Sequence, residues 1–246
     1  MVIRPVRDAR KGRLQWLARG VSSHATRAYC ASLGRGHSVA VCGYPRSGTS
    51  WISAVLAGYY DLPVPRHYGW PQFYPQVLHG HDLRLGGMQR VFYMVRSPFQ
   101  LFPSLFVKRY GITCPTPQDR ARFTDFLQAE LNRPYEAPCP WADHIARAVS
   151  RYGAKAILTY TADPDAMTDE LAQRIGRIDG HCDRPRLAAL VANRPSGRRA
   201  PTTSTPDTAR RFNWFSTEAN SLIQTELQRL NMLGADPHLA EMLGLP

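Results

Sequence analysis

Residues 43–50 read Gly43-Tyr44-Pro45-Arg46-Ser47-Gly48-Thr49-Ser50. Two glycines at this spacing let the backbone turn inward, so that free N–H groups can surround a phosphate. A loop that hydrolyses nucleotides needs lysine at position 49 to reach the β- and γ-phosphates; here that position is Thr49. The cation comes three residues earlier, as Arg46, which points to phosphate chemistry other than γ-phosphoryl transfer. A second candidate anion grip is Arg96, followed by Ser97-Pro98 and, eight residues after the arginine, Ser104. Between the two lies His79-Gly80-His81, and imidazole is the default group for removing a proton near neutral pH.

These residues need elements to hold them. Ser38-Val39-Ala40-Val41-Cys42 is a short apolar run of buried-strand type, and residues 49–57 read as a helix, so the glycine loop joins strand to helix. Gln76 to His81 predicts a short strand ending at the histidines, and Arg90 to Val95 a buried strand. Ser97 and Pro98 predict an N-cap and first-turn proline that open a helix directly after Arg96. Pro103 inside that helix predicts a kink. A helix over 141–152, a strand over 156–160, a helix over 163–178 and a last helix over 221–233 complete an alternation that implies a parallel sheet covered on both faces.

A chain of 246 residues, 43% hydrophobic, can build one sizeable α/β core. Its net charge of +12 is uneven. Before residue 37, eight basic side chains face Asp8 alone, and this basic N-terminal extension, 1–36, could steer an anionic substrate or rest on an acidic membrane surface. Residues 37–246 are expected to form a single catalytic domain, with a polar, Pro-rich lid or insertion near 111–140. A second arginine concentration includes Arg194, Arg198, Arg199, Arg210 and Arg211. Five cysteines without a Cys-x-x-Cys pair suggest neither a disulfide framework nor a zinc site. No apolar stretch approaches the ~20 residues that cross a bilayer, and a cytoplasmic protein is expected. The loop over 59–74 is dense in aromatics, and with Phe99, Phe102 and Phe106 it suggests stacking against a planar ring or sugar face, although core packing accounts for the three phenylalanines equally.

Tyr44 to Trp51 resembles the 5′-phosphosulfate loop of sulfotransferases that use 3′-phosphoadenosine 5′-phosphosulfate (PAPS), and Val95-Arg96-Ser97-Pro98 with Ser104 resembles their 3′-phosphate motif. Phe123-x-x-Phe126, Trp141-x-x-His144 and Leu158-Thr159-Tyr160 resemble later family segments, so the likeness covers roughly residues 38–178. It implies a P-loop NTPase-like three-layer α/β/α fold with a central parallel sheet. It further implies transfer of a sulfuryl group from PAPS to a hydroxyl or amine, with adenosine 3′,5′-bisphosphate (PAP) as product and no metal. The resemblance assigns the 5′-phosphosulfate to Arg46, Ser47, Gly48, Thr49 and Ser50, and the 3′-phosphate to Arg96 and Ser104. It places Trp51 and Tyr160 near the adenine, core packing being the alternative for Trp51. By register with the family's Lys-Thr-His-like triplet, His81 is the general base and His79 the reserve. Gly197-Arg198-Arg199 stands where the family has an Arg-Lys-Gly loop, which is not present as such.

The acceptor class expected is a small molecule, phenolic or sugar-containing, or a lipid-linked one. A P-loop small-molecule kinase is the alternative enzyme, disfavoured by Thr49. A basic nucleic-acid or membrane-surface binding protein on the same scaffold would explain the charge but leave both phosphate motifs and His81 without a purpose; nucleic acid is not the expected partner.

Overall fold

The computed structural model describes residues 13–64, 71–82, 87–193 and 207–234. Four strands, β1 (Val39–Gly43), β2 (Val77–Gly80), β3 (Arg90–Val95) and β4 (Ile157–Thr159), form one sheet in the order β2-β1-β3-β4, and every pairing is parallel. The helices are α1 (Arg13–Ala31), α2 (Thr49–Tyr60), α3 (Pro98–Tyr110), α4 (Pro117–Asn132), α5 (Trp141–Tyr152), α6 (Pro164–Asp179), α7 (Arg184–Ala192), α8 (Asp207–Arg211) and α9 (Thr217–Met232).

Strand side chains alternate between two cores. Val39 and Val41 of β1 join Phe92 and Met94 of β3 in a layer with α2, α6 and α7. Ala40 and Cys42 join Tyr93 and Val95 in the opposite layer, with α3, α4, α5 and α9. Both faces being covered, the strands are mostly apolar rather than alternating. The fold is therefore a three-layer α/β/α arrangement with a central parallel sheet.

Several local expectations need correction. Ser97 occupies the N-cap of α3, but its side chain makes no capping bond; Pro98 at the first turn is as expected. Phe102 and Phe106 are fully buried. Phe106 packs on Phe123, Phe126 and Trp214 at 5.4, 5.2 and 5.4 Å, which leaves no ring face for a ligand. Tyr60 of the aromatic loop donates to Asp179 at 2.7 Å, at the end of α6, and lies under the Arg90 guanidinium, which places it at the edge of the sheet opposite the loop 43–50. Within 111–140 the chain forms α4, whose Phe123, Phe126 and Leu127 are buried in the core.

α1 lies within the segment read as a basic extension. Its Cys30 belongs to the core, Arg27 pairs with Asp82 at 2.8 Å, and the Thr26 hydroxyl accepts from the Gln72 N–H. Among the described residues, no helix is long and apolar enough to cross a membrane.

One buried charge ties the glycine loop to this scaffold. Glu130 of α4, 1% exposed, accepts from the Tyr44 hydroxyl at 3.2 Å, from Arg109 of α3 at 2.8 Å and from the Tyr135 N–H at 3.3 Å. Removing only the counter-charge strands a buried carboxylate, so Arg109→Leu is expected to lower unfolding stability by about 3–5 kcal/mol. The double change Arg109→Leu with Glu130→Met should restore most of that in denaturant titration, because both desolvation penalties vanish.

Candidate active site

The four strands deliver their carboxyl ends to one edge. Cys42 pairs with Gly80, Gly43 with Met94, and Val95 with Thr159, so the glycine loop, the histidines, Arg96 and Tyr160 all emerge there. β1 lies between β2 and β3, and the chain visits one neighbour before crossing to the other. The crevice beyond such a switch point is where open parallel sheets bind ligands.

The loop is shaped by close approach. A Cβ on Gly43 would lie 2.6 Å from the Met94 carbonyl oxygen and 2.9 Å from Thr49 Cγ2. Gly48 has φ of 91°, and a Cβ there would sit 2.7 Å from the Tyr160 ring. The Ser47 N–H turns back to the Tyr44 carbonyl at 3.1 Å, so the donors facing outward at the start of α2 are those of residues 48–50. This narrows the expected set of 47–50. Ser47 Oγ is buried without a hydrogen-bond partner, an orphaned donor of the sort a phosphate-binding loop uses.

The two candidate anion motifs meet. Arg46 Nε donates to Ser104 Oγ at 3.0 Å, and Arg96 donates from its guanidinium to the Arg46 carbonyl at 3.1 Å. Arg96 also lies 4.5 Å over the Tyr160 ring, and Tyr160 meets Trp51 edge-on at 6.0 Å. Burial pushes both guanidinium pKa values down. For Arg46 the nearby Arg96 adds to that shift, and for Arg96 the nearby Arg210 of α8 does. The cations are thus gathered around one place, and the field of Glu136 partly offsets Arg46.

The histidines divide their work. His79 Nε2 is 2.9 Å from Thr49 Oγ1 and 3.4 Å from Ser50 Oγ, at the start of α2. His81 Nδ1 lies 2.7 Å from the Gly43 carbonyl. A carbonyl only accepts, so Nδ1 carries the proton and Nε2 holds the lone pair. Burial lowers the His81 pKa, which the Gly43 bond and Glu136 oppose and Lys108 reinforces. Neutral imidazole with a defined lone pair is the form that accepts a proton.

Arg46, Ser47, Gly48, Thr49, Ser50, Trp51, Arg96, Ser104, Tyr160, His79 and His81 are therefore gathered at this one edge. Arg198 and Arg199 lie outside the described residues. Sequence reading singled out neither Glu136 nor Lys108, which stand far along the chain from His81. It also assigned no role to Glu130, whose only signal was a lone acid in an otherwise apolar helix face.

No family model and no curated protein matches the chain. Solved structures do match in architecture. Among them is mouse sulfotransferase SULT7A1 complexed with PAP, at a TM-score of 0.58 and 15% identity, covering 91% of this chain and 94% of that one.

Gly48→Ala tests the loop geometry. A left-handed backbone costs a residue with a Cβ about 1–2 kcal/mol, and the contact with Tyr160 comes on top. The variant should keep a circular dichroism spectrum like the parent's while its unfolding free energy in denaturant titration falls by about 1–2 kcal/mol or more. Undiminished stability would show that the turn is not needed in this form.

Proposed function

We propose that the chain is a sulfotransferase that moves a sulfuryl group from PAPS to a hydroxyl or amine of a small-molecule, glycosylated or lipid-linked acceptor. The observation that carries this reading is the convergence of Arg46, Arg96 and Ser104 at the N-terminus of α2. An anion with phosphates at two separate positions suits that arrangement. A kinase reading fails at Thr49, which is 3% exposed and bonded to His79.

The donor supplies an activated sulfuryl group on its 5′-phosphate. The N–H groups of residues 48–50 and the dipole of α2 hold that phosphate. Arg46 stabilises the charge that develops on the bridging oxygen as the sulfur–oxygen bond breaks. Arg96 and Ser104 hold the 3′-phosphate, with Arg210 adding positive potential, and Trp51 with Tyr160 forms an aromatic corner for the adenine. As the acceptor oxygen or nitrogen bonds to sulfur, its proton passes to His81 Nε2, and PAP is the product. Glu136 and Lys108 set the charge around the base from opposite signs.

Calorimetry should detect PAP binding without a divalent cation. If PAP does not bind while ATP with Mg²⁺ binds tightly, the reading is wrong. With a sulfated acceptor in hand, Arg46→Ala should lose roughly 100-fold or more in kcat. The pH profile of kcat/KM should rise through a midpoint below 6.5, because burial lowers the His81 pKa and only the neutral ring accepts a proton. His81→Ala should abolish that acid limb, and its survival in His81→Ala with loss in His79→Ala would reassign the base.

A further inference from the structure

β2 ends at Gly80, and its last register pair is Cys42 with Gly80. His81 therefore stands one residue past the ladder, next to a glycine, on the strand that among the described residues is the edge of the sheet. Strand pairing cannot hold its carbonyl. His144 of α5 does so, with Nε2 2.9 Å from the His81 carbonyl oxygen. Since that oxygen accepts, Nε2 carries the proton, and Nδ1 then accepts from the Tyr93 hydroxyl of β3 at 2.5 Å.

His144 is fully buried, and burial pushes its pKa down to about 4. Both of its nitrogens are committed, and the Tyr93 hydroxyl is held far above its ordinary pKa by burial. Near neutral pH the ring is held uncharged and the hydroxyl protonated. A buried imidazole costs desolvation that an apolar side chain of similar size would not, and one of the two bonds it makes here runs to the His81 carbonyl, the other to the Tyr93 hydroxyl. The same ring meets Tyr44 of the glycine loop edge-on at 5.6 Å. Other groups facing His81 are Lys108, Glu136 and His79, the last with its ring 5.8 Å away.

We infer that His144, locked by Tyr93, is a positioning residue that fixes the backbone of His81 so that its ring keeps the Nδ1–H bond to Gly43 and presents Nε2 to the acceptor. The assignment rests on His81 being the base of the proposed transfer, but its structural half is readable without turnover. Histidine in water prefers the Nε2–H tautomer, so a fixed Nδ1–H ring is a distinctive signature.

Long-range ¹H–¹⁵N spectra of the full chain, labelled at histidine and without donor or acceptor, give that signature, the His81 signals being assigned by difference with His81→Asn. The parent should show His81 as Nδ1–H and His144 as Nε2–H. His144→Phe should return His81 to a mixture of tautomers and lower kcat by about tenfold or more, with PAP affinity within about twofold of the parent. His144→Gln, whose amide can still donate to the His81 carbonyl, should recover most of both. An unchanged His81 tautomer and kcat in His144→Phe overturns the inference. Should His144→Phe not fold, Tyr93→Phe decides: a His81 ring that loses its single tautomer supports the inference, and an unchanged ring overturns it. A tautomer that depends on His144 in a protein that binds no PAP would keep the positioning role and remove the transferase reading.

Discussion

Two partly buried arginines, one gripping the backbone of the other, form the constraint around which this molecule is arranged. Arg96 reaches the carbonyl of Arg46 while Arg46 reaches Ser104, and each depresses its proton affinity through lost solvation. Like charges in such a place repel, and repulsion grows as water is excluded. Among the described residues the partners include a tyrosine face, a serine oxygen, a backbone carbonyl and the field of Glu136. An anion with two charged ends is what the proposed function would place against these two cations. The same constraint explains why α3 is so firmly docked, since its first turns carry Ser104 and its apolar side enters the cluster around Phe106.

The loop, His81 and the second cation come from different strands, and the sheet is what makes their distances reproducible. Parallel strands put every carboxyl end on one edge, so a short apolar run followed by a candidate site residue occurs three times, at Gly43, His81 and Arg96. Stiffness is added from behind. Tyr44 is tied through Glu130 to Arg109, and Asp82, the residue after His81, is tied to Arg27 of α1 and accepts at its carbonyl from the Cys42 thiol at 3.5 Å. α1 is thus part of the wall of the site on the β2 side.

The sheet and the loop were legible in the sequence because their signals are local. A β-branched run, two glycines and a first-turn proline each have one physical meaning within a few residues. Arg96 and Ser104 were legible through a motif. The partners that set the behaviour of these groups were not. Glu130 lies 86 residues from Tyr44, and Asp82 lies 55 from Arg27; no periodicity links such pairs. The phenylalanines 102 and 106 were ambiguous for the converse reason: an aromatic residue near a motif serves a core or a ligand with the same composition, and only burial separates them. Ser97 had the right residue type for a capping bond that its side chain does not make.

Position 49 and position 46 are two halves of one substitution. In a loop that grips a γ-phosphate, the long cationic side chain springs from the first turn of the helix. Here the first turn offers Thr49, whose hydroxyl is bound by His79, so the helix start is locked to the neighbouring strand and has no reach. The charge is moved back into the turn, onto a residue with φ of 71°, a conformation that costs a side chain bearing a Cβ about 1–2 kcal/mol. A non-glycine residue holds such a backbone only where the surroundings over-determine it. At Arg46 they do: its carbonyl is held by Arg96 and its Nε by Ser104, so the strained turn and the second anion motif require each other. The threonine is therefore no damaged lysine site: it locks the start of α2 to β2, while the cation stands in the turn where the second anion motif meets it.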